Sequence, residues 1–139
     1  MCYNEMMFTN KGRRFRNRDL RWHPHWAEMS GPKPPDDFVS NGNTNAPDIV
    51  FGVDTRPAGH FHDYHYDKPG SEPERFIADQ LFRYNMGKCG VSGLLSPVRF
   101  FYYFRLRLWG HKYFKYKPGE EPVKDWRFWM RLFWGRYLR

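Results

Sequence analysis

Residues 60–66 read His-Phe-His-Asp-Tyr-His-Tyr, and within them His62, Asp63 and Tyr66 form an HD-x-x-Y pattern that Asp79 follows seventeen residues after His62. Imidazole, carboxylate and phenol in so short a stretch can make an active site. On a helix over 58–68, Tyr66 lies one turn beyond His62 on the same face, and Asp63 projects about 100° around the axis. The imidazole and its neighbouring carboxylate would then do different work. Other chemistries use the same residues. His60, His62 and His65 with Asp63 and Asp67 offer transition-metal ligands at i and i+3. His62, Tyr66 and Asp79 can equally be a buried hydrogen-bond network that only joins two helices. A strand would put His60, His62, Tyr64 and Tyr66 on one face, but Pro57, Gly59 and the hairpin pattern that follows favour a helix.

The elements that must position these groups can be read from local signals. Ser71-Glu72-Pro73-Glu74 supplies an N-cap, a first-turn proline and a capping-box glutamate, and Gly87 a stop, which predicts a helix over 72–86. Phe76, Asp79, Phe82 or Arg83, and Met86 share a stripe of it, so Asp79 stands among rings and needs a partner. Ser96-Pro97 opens a further helix running to Gly110, and a last one is expected over about 122–134. From Asp36 to Pro57 the chain is rich in Asn, Gly, Asp and Pro, which favours turns over regular structure. The fold expected is mainly α.

Length and charge bound the rest. At 139 residues the chain has the size of one domain. Its net charge is +4 over residues 1–35, −4 over 36–98 and +8 over 99–139, an acidic centre between two basic arms rich in aromatic residues. We therefore divide it into a basic N-terminal arm (1–35), a core (36–110) and a basic aromatic C-terminal extension (111–139). An acidic centre can hold a cation, and the arms can meet phosphate, anionic lipid or an acidic partner. Two cysteines, Cys2 and Cys89, cannot build a disulfide framework, so a reducing compartment or a virion is expected. No stretch has the length and apolarity of a membrane span or of a signal peptide.

Gly42-Asn43, then Pro57-Ala58 before His62-Asp63-x-x-Tyr66, then Ala78-Asp79 with Leu81 on a second helix, resembles the phospholipase A2 superfamily. The likeness is to its disulfide-free viral and phage branch, such as the parvovirus capsid lipase domain, and covers roughly residues 36–110. The resemblance implies a helical-hairpin core and hydrolysis of a phospholipid ester at a membrane. It implies His62 as general base, Asp79 as the acceptor that orients the imidazole, and Tyr66 as a hydroxyl holding that carboxylate. It implies calcium bound by Asp63 and by backbone carbonyls of the loop at Ser40 and Gly42. Ser40 stands where the viral pattern carries glycine, and the His62 to Asp79 interval is shorter than in the parvovirus type, so a loop of different shape is expected.

In the C-terminal extension Trp126, Trp129, Met130, Phe133 and Trp134 alternate with Lys124, Arg127 and Arg131. That composition suits an amphipathic helix at an anionic membrane surface, or rings packed on the core or on subunits of a virion or other large complex. Nucleic acid shares the charge preference, without any base-reading motif. Two functions are carried forward: a calcium-dependent phospholipase A2-like hydrolase of phage or viral origin, located in host cytoplasm or virion, and a non-enzymatic assembly protein that keeps the fold.

Overall fold

A computed structural model describes residues 14–42 and 47–132. The protein is mainly helical. Among the described residues five α-helices, α1 (Asn17–Leu20), α2 (Arg56–Asp67), α3 (Glu72–Cys89), α4 (Ser96–Trp109) and α5 (Trp126–Arg131), are accompanied by short 3₁₀ turns at Trp26–Glu28, Gly93–Leu95 and Gly110–Lys112. A two-stranded antiparallel sheet, β1 (Ile49–Val50) with β2 (Val53–Asp54), pairs Ile49 with Asp54 and Val50 with Val53. This hairpin lies inside the stretch expected to be irregular. Its two-residue turn places Phe51 (φ 47°) and Gly52 (φ 79°) both in the left-handed region, the geometry that matches strand twist.

The helix carrying the HD-x-x-Y pattern begins at Arg56, with Pro57 in its first turn, where a missing N–H costs nothing. Thr55 is its N-cap, and just before it the Asp54 carboxylate accepts the Arg56 N–H (3.1 Å) and a two-toothed grip from the Arg56 guanidinium. The helix stops at Asp67 because Lys68 precedes Pro69 and is held extended (ψ 127°). On α3 the capping box forms as the sequence specifies, with the Glu74 carboxylate accepting the Ser71 N–H at 2.8 Å. The helix does not stop at Gly87 but runs to Cys89 and ends at Gly90 (φ 123°). Gly87 is instead where the Arg99 guanidinium of α4 packs closely on the backbone. The last helix is shorter than expected and starts at Trp126, because the Asp125 carboxylate caps it by accepting the Arg127 and Phe128 N–H groups. Phe133 and Trp134 lie outside the described residues.

α2 packs along α3, and α3 along α4. Their shared core contains Ala58 and Phe61 of α2, Phe82, Met86 and Cys89 of α3 and Tyr102 of α4, with Met29, Val50 and Val91 closing it. Burial makes this core the main source of stability: truncating a ring such as Phe82 would cost about 3–5 kcal/mol. Parts of both arms are woven into it. Leu20 is fully buried, Phe15 and Ser40 exchange backbone hydrogen bonds, and the Asn85 side chain of α3 binds both the N–H and the carbonyl of Ser30. At the other end Phe114 stacks edge-on against Tyr66, and Phe128 and Leu132 are buried. No helix among the described residues is long and apolar enough to cross a membrane.

Candidate functional site

The hairpin of α2 and α3 brings His62, Tyr66 and Asp79 together, three side chains with almost no exposure. His62 Nε2 lies 3.0 Å from Asp79 Oδ1, and the Tyr66 hydroxyl donates to the same oxygen at 2.5 Å. Because an ionised carboxylate only accepts, Nε2 carries the proton in the neutral ring. Nδ1 is then the basic nitrogen, on a side chain that lines a cavity. The second carboxylate oxygen of Asp79 accepts from Arg107 at 2.7 Å, and the Arg75 guanidinium stands 3.5 Å from it. Burial would raise the Asp79 carboxyl, but hydrogen bonding and charge from His62, with the charges of Arg107 and Arg75, hold it below the ordinary carboxylate range. Tyr66 is pushed well above the usual phenol range by burial and by Asp79, so it remains a donor.

The arginines are themselves anchored. Arg75 pairs with Glu72, to which the Tyr116 hydroxyl also donates, and Arg75 Nη1 reaches the Leu106 carbonyl. Arg107 donates through Nε to the Leu132 carbonyl, tying the C-terminal segment to the same carboxylate. Sequence reasoning gave Asp79 a buried place and a need for partners, yet it missed both arginines. Arg75 stood four residues before Asp79 on one helical face, which is a readable signal; Arg107 stood in a cationic run with nothing to mark it as buried.

A cavity of about 370 Å³ opens beside this dyad. Gly42, Gly59, His62, Asp63 and Tyr66 line one side, Phe82, Tyr102 and Leu106 supply apolar surface, and Arg105, Trp109, Lys112 and Tyr113 lie on the α4 side. Gly110 has no side chain because the Tyr66 hydroxyl occupies that space: a Cβ would stand 2.5 Å from it.

Asp63 points away from the dyad, as its position on the helix requires, and meets the loop. Burial and the negative charge of Asp48 push its carboxyl well above the usual range, against an opposing hydrogen bond from the Asn41 N–H. Gly42 (φ 81°) packs directly on Asp48, whose Oδ1 would lie 2.6 Å from a Cβ at that position. Gly42 and Asp63 line the cavity, and Asp48 is buried behind Gly42. Asp48 is a neighbour of Asp63 that the sequence did not single out. Ser40 sits differently: its carbonyl accepts the Phe15 N–H (2.7 Å), and it does not line the cavity. It needs no positive φ, since only Phe51 among the described non-glycine residues has one.

The histidine-rich alternative does not assemble. Among the described residues no group of three or more His, Cys, Asp or Glu side chains converges to hold a metal. His60 is turned the other way, bonded to Asn17 Oδ1 at 2.8 Å and Ser40 Oγ at 2.5 Å. The strand alternative for residues 60–66 is likewise excluded, because these residues are helical throughout.

Comparison of the chain with protein-family models, with curated proteins and with solved structures finds no match in any of the three. The class of the site therefore rests on its own geometry: a histidine–aspartate dyad with an auxiliary tyrosine, opening on a part-apolar cavity.

Proposed function

We propose that this cavity hydrolyses an ester of a phospholipid in the manner of phospholipase A2. One observation carries the reading: His62, oriented through Nε2 by Asp79 and Tyr66, lines the same cavity as Asp63 and the Gly42 turn. His62 Nδ1 would take a proton from water as the water oxygen bonds to the ester carbonyl carbon, with Asp79 holding the imidazolium. When the tetrahedral species collapses, its bond to the glycerol oxygen breaks and His62 returns the proton to that oxygen. Asp63 and backbone carbonyls beside Gly42 would be the groups to hold calcium, which when bound would polarise the ester carbonyl and carry oxyanion charge. Phe82, Tyr102 and Leu106 suit an acyl chain, and Arg105 and Lys112 suit a phosphate. Exposed Trp109, Tyr113, Trp126, Trp129 and Met130, set among cations, suit an anionic membrane surface.

A second reading, a non-enzymatic assembly protein of a virion or other large complex, is favoured by the Asp79–Arg107–Leu132 connection, which uses the dyad to lock the C-terminal segment. The deciding experiment measures fatty-acid release from vesicles containing phosphatidylglycerol, with calcium or chelator. It compares the full chain with folded His62→Ala and Asp63→Asn variants. The hydrolase reading expects calcium-dependent release that falls by about 10²–10⁴-fold when His62 is removed. A folded wild type indistinguishable from both variants overturns it and leaves the assembly reading.

A further inference from the structure

His60 belongs to the same helix as His62 and Asp63 but takes no part in the dyad, and its surroundings form a second polar chain. The Asn17 amide donates to the Pro34 carbonyl at 2.7 Å and to Asp36 Oδ1 at 3.2 Å, so Asn17 Oδ1 is left to accept from His60 Nε2–H. His60 Nδ1 is therefore an acceptor, and the Ser40 hydroxyl donates to it. Asn17, Ser40 and His60 are all buried. A serine hydroxyl on an imidazole has the make-up of a nucleophile and its base, but neither residue lines the cavity and no substrate could reach them. The pair works as a clamp.

What it clamps is the turn that meets Asp63. Consecutive loop residues are stitched to positions three apart on α2: Ser40 through its hydroxyl to His60, and Asn41 through its N–H to Asp63. Residues i and i+3 lie on neighbouring sides of a helix, so an extended dipeptide can engage both. The next residue, Gly42, then turns with φ 81° onto Asp48. Ser40 is also fixed from behind by its two backbone hydrogen bonds with Phe15.

We propose that Asn17, His60 and Ser40 are positioning residues that set the Asn41–Gly42 turn against Asp63 and Asp48, making the N-terminal segment part of the cavity's cation-binding wall. The clamp itself stands on the hydrogen bonds alone; its consequence for a cation rests on the function proposed above. A buried polar network can also be only a source of stability, and the test separates the two with a matched control. Asn85, whose amide grips Ser30, joins the same N-terminal segment to α3 and does not line the cavity.

The experiment uses the full chain, Ser40→Ala, Asn17→Ala and Asn85→Ala. It reads amide hydrogen exchange at Asn41 and Gly42, global stability in urea, and calcium affinity by titration calorimetry. Ser40→Ala and Asn17→Ala should speed exchange at Asn41 at least about tenfold more than their loss of global stability accounts for, and weaken calcium by a similar factor. Asn85→Ala should change stability alone. If exchange is accelerated but wild type binds no calcium, the clamp stands and the cation reading fails. If exchange at Asn41 is unchanged in both clamp variants, or Asn85→Ala accelerates it equally, the positioning role is overturned. Asn17→Ala acts from the far end of the chain and serves should Ser40→Ala not fold.

Discussion

Replacing Asp79 by asparagine should reveal how much the buried arginine depends on it. The carboxylate is fully buried and accepts from His62, Tyr66 and Arg107 together. An amide of the same shape has one acceptor oxygen and an NH₂ that must face one of those donors. Arg75 would retain Glu72, but among the described residues Arg107 would keep the Leu132 carbonyl and the face of the Phe76 ring, neither carrying formal charge. Removing one member of a buried ion pair costs about 3–5 kcal/mol, because the other charge stays desolvated and uncompensated. Against a total stability of about 5–15 kcal/mol the variant is folded but weakened. Arg107→Met alone should cost less, since Asp79 keeps His62, Tyr66 and Arg75. The double variant should be more stable than the sum of the two losses by about 2 kcal/mol or more, the signature of direct coupling. Urea unfolding of the four proteins at pH 7 measures this cycle. Losses that add within about 0.5 kcal/mol would refute Arg107 as the charge partner of Asp79.

Other consequences follow from the loop and its clamp. Burial lowers the His60 imidazole to about 4, from 6.5 when unfolded, so the unfolded chain gains its proton first on acidification. The native state should lose about 2–3 kcal/mol between pH 6.5 and 4 from this residue, and no part of it above pH 7. Urea midpoints against pH should therefore fall less steeply in His60→Gln; an unchanged slope would show that His60 is not the group responsible. Gly42→Ala places a methyl against the Asp48 carboxylate at φ 81° and should cost about 1–3 kcal/mol while disturbing Asn41 and Asp63 in NMR spectra, with α3 and α4 unaffected.

The sequence made the hairpin legible because its signals are local. Pro57, the Ser71 capping box and the period of Phe82 and Met86 each act within a turn or two, and α2 and α3 formed where they indicate. The same locality explains the errors. Gly87 reads as a stop to any local rule, yet the helix runs through it, and Arg99 of another helix packs on it there, a contact no window contains. For the site, HD-x-x-Y and Asp79 were readable as a set, since helical spacing puts His62 and Tyr66 on one face. Asp48, Arg107 and the Asn17–His60–Ser40 chain were not. Their partners lie far off in sequence, and an asparagine among arginines or an aspartate in a loop carries no mark of burial.

The charge balance around Asp79 offers a way to separate a working dyad from a structural one. Asp79 and Glu72 are matched by Arg75 and Arg107, so the cluster is neutral before His62 gains a proton. In that resting network His62 serves only as the Nε2–H donor toward Asp79. The ester hydrolysis proposed above would ask more of it, because the imidazole would take a proton in the step that forms the oxyanion. A network that only joins helices never calls on that proton, and any neutral donor toward Asp79 would serve it. Glutamine can place its NH₂ where Nε2–H stands, so His62→Gln should stay within about 1 kcal/mol of wild type in urea. Its hydrolysis of phosphatidylglycerol vesicles should nevertheless fall at least about 100-fold, because the base is gone. A His62→Gln protein that is stable and still hydrolyses at the wild-type rate would remove His62 from the chemistry. One that unfolds would show that the imidazole is required for the fold itself.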